Sequence, residues 1–121
     1  PAFLGKSGDI AALLDHIDYI ADRYGTDHVA IGTDSPYVAA GVLDEKRPAG
    51  RPARTRWEAL WPEDDPLFSP IWKQERQIQS LAWTNWPLFT VGLVQRGYVD
   101  EDIRKIIGGN FLRVATEVWP G

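Results

Sequence analysis

The sequence predicts an α/β fold, and three observations carry that prediction. An amphipathic helical pattern over Gly8 to Tyr24 is followed by a short apolar run, His28 to Thr33, that reads as a β-strand. The run stops at Gly32-Thr33-Asp34 and delivers a carboxylate to its C-terminal tip, where parallel α/β barrels set their catalytic groups. After residue 72 the spacing is helical, with no further strand pattern, so this strand is expected to be the last. A complete eight-stranded barrel needs about 250 residues, and the chain has 121. The expectation is the C-terminal fragment of a (β/α)8 TIM-type barrel, mostly helical with one parallel strand, with residues 1–121 forming part of a single domain.

Each element has a local reason. Ala2, Phe3 and Leu4 look like the tail of a preceding strand or loop. Ser7 is expected to cap the first helix, with Asp9 in the first turn where the positive end of the helix dipole favours an acid. Ile10, Leu13, Leu14, Ile17, Ile20 and Ala21 recur at helical spacing, while Asp15, Asp18, Asp22 and Arg23 fall elsewhere. Gly25 is a left-handed terminator, and Thr26-Asp27 turns the chain into the strand. From Ser35 to about residue 72 the periodicity vanishes, and most of the 9 prolines lie there. A loop of that length in a compact domain is usually functional, a flap or an interface arm. Its Trp57, Leu60, Trp61, Leu67, Phe68, Ile71 and Trp72 carry more apolar surface than a disordered tract. Lys73 to Trp83 is expected to form one helix. Thr84 or Asn85 caps the next, with Pro87 in its first turn and Gly97 at its end. Asp100 caps a short helix over Glu101 to Ile107, Gly108-Gly109 stops it, and Asn110 caps a final helix over Phe111 to Val118.

Composition narrows the function. The formal net charge is −4, with 13 basic and 17 acidic residues mixed along the chain, so no electrostatic footprint for nucleic acid or an anionic membrane is present. The local exception is Lys46, Arg47, Arg51, Arg54 and Arg56, interleaved with Pro and Gly as in a solvated loop. With 0 Cys, disulfides, thiolate catalysis and thiolate zinc sites are excluded. No apolar run approaches the roughly 18 residues of a membrane span. A soluble protein is expected, the cytoplasm ahead of other compartments. The start at Pro1 and the 0 Met suggest the C-terminal piece of a longer protein.

Asp34 is the first candidate for chemistry; the bland reading of it is a turn-forming Asp after a strand. Along a strand His28 and Asp34 stand about 20 Å apart and cannot share an ion. His16 lies in a helix close to its apolar stripe and is expected to be structural, as is His28 at the opposite end of the strand. Trp83 and Trp86 flank a helix start and suggest core, lid or subunit contact more than a stacking platform.

Two stretches carry a resemblance. Asp15 to Ile20, Gly25 and Asp27 to Asp34, then Arg96-Gly97-Tyr98 and Glu101 to Val114, the latter with Ile106-Ile107-Gly108-Gly109-Asn110-Phe111-Leu112-Arg113, resemble the C-terminal third of the membrane dipeptidase (renal dipeptidase) family of zinc metallopeptidases. The resemblance implies a barrel hydrolase that cleaves dipeptides with two zinc ions. It implies that the ligands, a His-x-Asp pair, a bridging Glu and two later His, lie on earlier strands, so that none is in this chain. Asp34 falls on the family's last-strand acid, implied to exchange a proton with the reacting water and the leaving amine. Family members commonly continue Gly-x-Asp-Phe-Asp-Gly, whereas Ser35-Pro36-Tyr37 follows here, which puts specificity in question more than reaction class. Tyr37 and the loop tryptophans are the expected variant wall. A homo-oligomer is compatible with this reading. The isolated piece is expected to be inactive, and poorly stable or self-associating, because its apolar faces lack their partners. The alternative is a non-catalytic interaction module or degenerate remnant, with the Trp-rich arm as partner surface.

Overall fold

The computed structural model describes residues 4–5, 7–34, 62 and 64–119. Tyr37, the basic cluster at 46–56, Trp57, Leu60 and Trp61 lie outside the described residues.

The first helix, α1, spans Ile10–Tyr24. Its start corrects the expected cap: Asp9 occupies the N-cap, and its side chain accepts from the backbone N–H groups of Ala11 and Ala12, while Ser7 Oγ donates to Asp9 Oδ1 at 2.6 Å. Asp9 stands next to the first helical residue, so its carboxylate reaches the orphan donors, and the Ser7 hydroxyl braces it. Gly25 ends the helix at φ 85 with its N–H on the Ala21 carbonyl, as expected of a positive-φ terminator.

The predicted strand and the barrel it belongs to are not found. Among the described residues there is no β-strand or sheet, so the (β/α)8 assignment is overturned. Thr26–His28 forms a single 3₁₀ turn, and Val29 continues in extended conformation at φ −114, ψ 131. The residues obey the local rule for a strand: Val29, Ile31 and Thr33 face inward in alternation with exposed Ala30, Gly32 and Asp34. A ladder also needs a second extended segment to pair with, and the described residues contain none. Side chains satisfy the backbone instead: Asn110 Nδ2 donates to the Thr26 and Val29 carbonyls at 2.7 and 2.8 Å, and Arg113 Nη2 donates to the Asp27 carbonyl at 2.9 Å.

Beyond the undescribed stretch, two 3₁₀ turns at Pro66–Phe68 and Pro70–Lys73 lead into α2, Glu75–Ser80. This helix is shorter than the pattern over 73–83 suggested, because Trp83–Asn85 breaks into a further 3₁₀ turn. The third helix, α3, spans Trp86–Gln95 with Pro87 in its first turn, and Gly97 follows at φ 85. Asn85 stands at the cap position without capping; its Nδ2 donates back to the Gln79 carbonyl at 2.5 Å. The fourth, α4, spans Asp100–Arg104 and begins after Val99, so Asp100 lies inside the first turn with Glu101 and Asp102. A widened turn over Lys105–Gly109, with Gly108 non-helical, joins α4 to α5, Asn110–Val118. The two glycines bend the chain and do not stop it.

The core gathers Leu13, Leu14 and Ile17 of α1, Val29 of the extended segment, Leu81, Phe89 and Leu93 of α3, Ile103 of α4 and Ile106. α1 and α3 meet where a residue without a side chain permits it: a Cβ on Gly92 would stand 2.4 Å from Leu14 Cδ1. α3 is apolar on every side. Phe89, Gly92 and Leu93 are buried, while Leu88, Val91 and Val94 are 48, 49 and 57% exposed.

Candidate functional site

Asp34 closes the extended segment at φ 50, a conformation in which Asp is tolerated better than most residues. Its position outside the core follows from the in-and-out alternation that starts at buried Val29. Asp34 is exposed and lines none of the three clefts described below.

The machinery that sets this segment is polar and comes from the far end of the chain. Asn110, 6% exposed, spans two carbonyls of the 26–29 turn with one amide. Thr26 Oγ1 donates to Asp102 at 2.5 Å, and Lys105 Nζ lies 3.0 Å from Asp27, 3.7 Å from Glu101 and 3.8 Å from Asp102. The hydrogen bond and charge of Lys105 hold the Asp27 carboxyl below its ordinary range, and Asp27 in return raises the Lys105 ammonium. Asn110 was expected to cap a helix. It is the first residue of α5, and its side chain reaches across instead of back along its own helix. No local pattern distinguishes the two uses, since both place Asn after a glycine at a helix start.

A cleft of about 460 Å³ adjoins the same contacts, lined by Asp18, Asp22, Thr26, Arg96, Tyr98 and Asp102 among others. Tyr98 Oη donates to Asp18 at 2.8 Å, and Arg96 forms an ion pair with Asp18 and a second with Asp15 at 2.8 Å. Burial, then the hydrogen bond to the anionic Asp18, push the Tyr98 phenol well above its ordinary range. Burial opposes the charge of Arg96, but the bonds to Asp15 and Asp18 outweigh it and raise its pKa. These groups are engaged with one another, which makes the cleft a seam between α1 and the turn after α3. Sequence spacing gave no hint of it, because the partners lie about 80 positions apart.

A second, apolar cleft of about 280 Å³ is lined by Ala30, Ile31, Trp86, Ile106, Ile107, Gly108 and Phe111, directly beside the segment that ends in Asp34. A third, of about 180 Å³, lies along α5 between Phe111, Val114, Ala115, Val118 and Trp119. Trp86 meets Phe89 edge-on with ring centroids 5.5 Å apart, in agreement with a packing role. His16 is exposed with Nε2 3.0 Å from the Leu4 carbonyl, and His28 is exposed in the 3₁₀ turn. Among the described residues no group of three or more His, Cys, Asp or Glu side chains is arranged to hold a metal ion, so these residues do not fit a zinc centre of their own. Among them, too, no helix is long and apolar enough to cross a membrane.

No protein family, curated protein or solved structure matches the chain.

Proposed function

We propose that the chain is one segment of a metal-dependent dipeptidase, with Asp34 as the acid that moves a proton between the attacking water and the leaving amine. Amide hydrolysis bonds the water oxygen to the carbonyl carbon, breaks the C–N bond and leaves one proton to travel from the water to the departing nitrogen. A carboxylate held beside both can carry that proton. The two zinc ions of this reading belong with residues outside the chain, as does the rest of the substrate pocket.

One observation carries the reading beyond the motifs. The two stretches that resemble the dipeptidase family, Asp15 to Asp34 and Arg96 to Val114, are joined by a continuous set of polar contacts: Arg96 to Asp15 and Asp18, Tyr98 to Asp18, Thr26 to Asp102, Lys105 to Asp27, Asn110 to Thr26 and Val29, and Arg113 to Asp27. Segments with a shared role in positioning Asp34 would need such a connection. The test is Asp34→Asn in the intact protein, assayed on dipeptides with its zinc content measured. Turnover is expected to fall by about a hundredfold or more, the scale of a lost proton shuttle, with zinc retained. Unchanged turnover would remove Asp34 from the mechanism, and loss of zinc would make it a ligand.

A non-catalytic interaction module is the second reading, favoured by the exposed apolar faces of α3 and α5. Failure of the zinc-loaded intact protein to hydrolyse any dipeptide would favour it.

A further inference from the structure

The short helix α2 is seated on the start of α1 without an apolar anchor of its own. Its 6 residues include one aliphatic side chain, Ile78, which is 53% exposed, and the residue it buries is Gln77. A surface helix ordinarily turns an apolar stripe toward the core. Here the seat is polar: Arg76 Nη2 donates to Asp9 Oδ2 at 3.1 Å, Gln77 Nε2 donates to the Ser7 carbonyl at 3.1 Å, and the Ile10 N–H donates to Ser80 Oγ at 3.2 Å. Leu81, buried in the core immediately after α2, is the fixed point about which the helix can swing.

The three bonds converge on the turn around Asp9, and its carboxylate serves both helices. Oδ1 accepts from the Ser7 hydroxyl and from the Ala11 and Ala12 amides, which caps α1, while Oδ2 takes Arg76 of α2. Among the described residues Arg76 is the charged side chain that faces Asp9; α1 and the turn before it present amides and a hydroxyl. The guanidinium and the amides can only donate. A proton on the carboxyl therefore competes with all of them and removes the charge that attracts Arg76. The seat is also shallow, because Gln77 Oε1 is buried with no hydrogen-bond partner among the described residues. The closed arrangement bears that desolvation cost and an open one, with the amide in water, does not.

We infer that Asp9 and α2 form an acid-released clasp: ionised Asp9 holds α2 against the start of α1, and on protonation α2 swings away about Leu81 while the core stays in place. The donors around Asp9 hold its carboxyl below the usual range, so the clasp is closed above about pH 4 and opens as the pH falls through that lowered value. It is independent of the dipeptidase reading, since Asp9 and α2 lie outside both stretches that resemble that family.

Neighbouring amides separate the clasp from the cap when hydrogen exchange of the 121-residue chain is followed by NMR. The Ile10 N–H is held by Ser80 of α2, whereas those of Ala11 and Ala12 are held by Asp9. Asp9→Asn retains a good cap and loses the charge that Arg76 meets. Arg76→Gln removes the same pair from a side chain that is 79% exposed, which keeps the test readable should Asp9→Asn fail to fold. At pH 7 Ile10 should exchange about threefold faster in either variant than in the wild type, the scale of a lost ion pair with one exposed partner, with Ala12 unchanged. In the wild type, between about pH 5 and pH 3, Ile10 should lose protection relative to its intrinsic exchange rate while the buried Ile17 of α1 keeps its own. Unchanged Ile10 exchange in Arg76→Gln, or loss of Ile10 and Ile17 protection together in acid, would overturn the clasp and leave Asp9 as a helix cap alone.

Discussion

Asn110 is the residue on which the arrangement of the Asp34-bearing segment turns. Its amide serves two carbonyls, but only one depends on it, since the Thr26 carbonyl also accepts from the Val29 N–H at 3.4 Å. Asn110→Ala should therefore cost about 1–3 kcal/mol, the penalty of one buried unsatisfied carbonyl plus a lost bond, measurable by urea denaturation. Asn110→Asp sharpens the test. A protonated carboxyl can donate to one carbonyl and an ionised one to neither, so its folded-state pKa is raised and the variant should lose stability as pH rises through the carboxyl range. Equal stability of that variant at pH 4 and pH 7 would refute the donor role. At the other end of the molecule Asp9 has the opposite sign. The Ser7 hydroxyl, then the Ala12 and Ala11 amides and Arg76, hold its carboxyl below the usual range against the cost of burial. Asp9→Ala should cost about 1 kcal/mol as a lost helix cap and should flatten the acid side of the stability curve. A variant whose curve still falls as steeply below pH 4 would place that acid sensitivity elsewhere.

Among the elements, the buried face of α1 was legible though its cap was not, and α3 was legible only in part. The spacing of Leu13, Leu14 and Ile17 reports one buried face, and all three are buried. For α3 the sequence Trp-Pro-Leu-Phe-Thr-Val-Gly-Leu-Val-Gln is apolar all round and cannot say which side turns inward. The choice is made by Gly92, which lets α1 approach closely enough for Leu14 to lie over it. In an isolated helix Gly92→Ala would be favourable by about 1 kcal/mol. In this protein the added methyl meets Leu14 inside a packed core, and overpacking of about 1–3 kcal/mol should win. A double-mutant cycle of Gly92→Ala with Leu14→Ala is expected to show favourable coupling of at least about 0.5 kcal/mol. Strict additivity would show that the two positions do not press on each other. The extended segment failed differently. Val29 to Asp34 has the alternation of a strand, but alternation reports only which side chains face inward, while a sheet also requires a neighbour that the local sequence does not encode.

For the molecule as a whole, the halves on either side of the undescribed stretch are held by an apolar core and by the polar seam around Asp18, Arg96, Tyr98, Asp102, Lys105 and Asn110. The helix cap at Asp9 and the seam together set the pH range of stability. Carboxyls held below their ordinary range, Asp9 and Asp27, stabilise the fold above pH 4 and lose that contribution as pH falls through their lowered values. Tyr98 and Lys105, both raised, stabilise it below about pH 10 and lose their contribution above that value, as the phenol and the ammonium give up their protons. Urea denaturation should therefore show a plateau between these limits, with Tyr98→Phe flattening the alkaline edge; an alkaline edge unchanged in that variant would take Tyr98 out of it. The sequence by itself determined the helices and their ends to within a few residues, and the buried face of α1 at Leu13, Leu14 and Ile17. These properties are periodic or local, and a linear pattern records them. The tertiary structure alone decided that the extended segment joins no sheet among the described residues, that Asn110 bridges where it was expected to cap, and that α5 turns its apolar side outward. Each depends on what lies opposite a residue in space, often about 80 positions away, and the chemistry of a side chain is indifferent to which of several compatible partners it will meet.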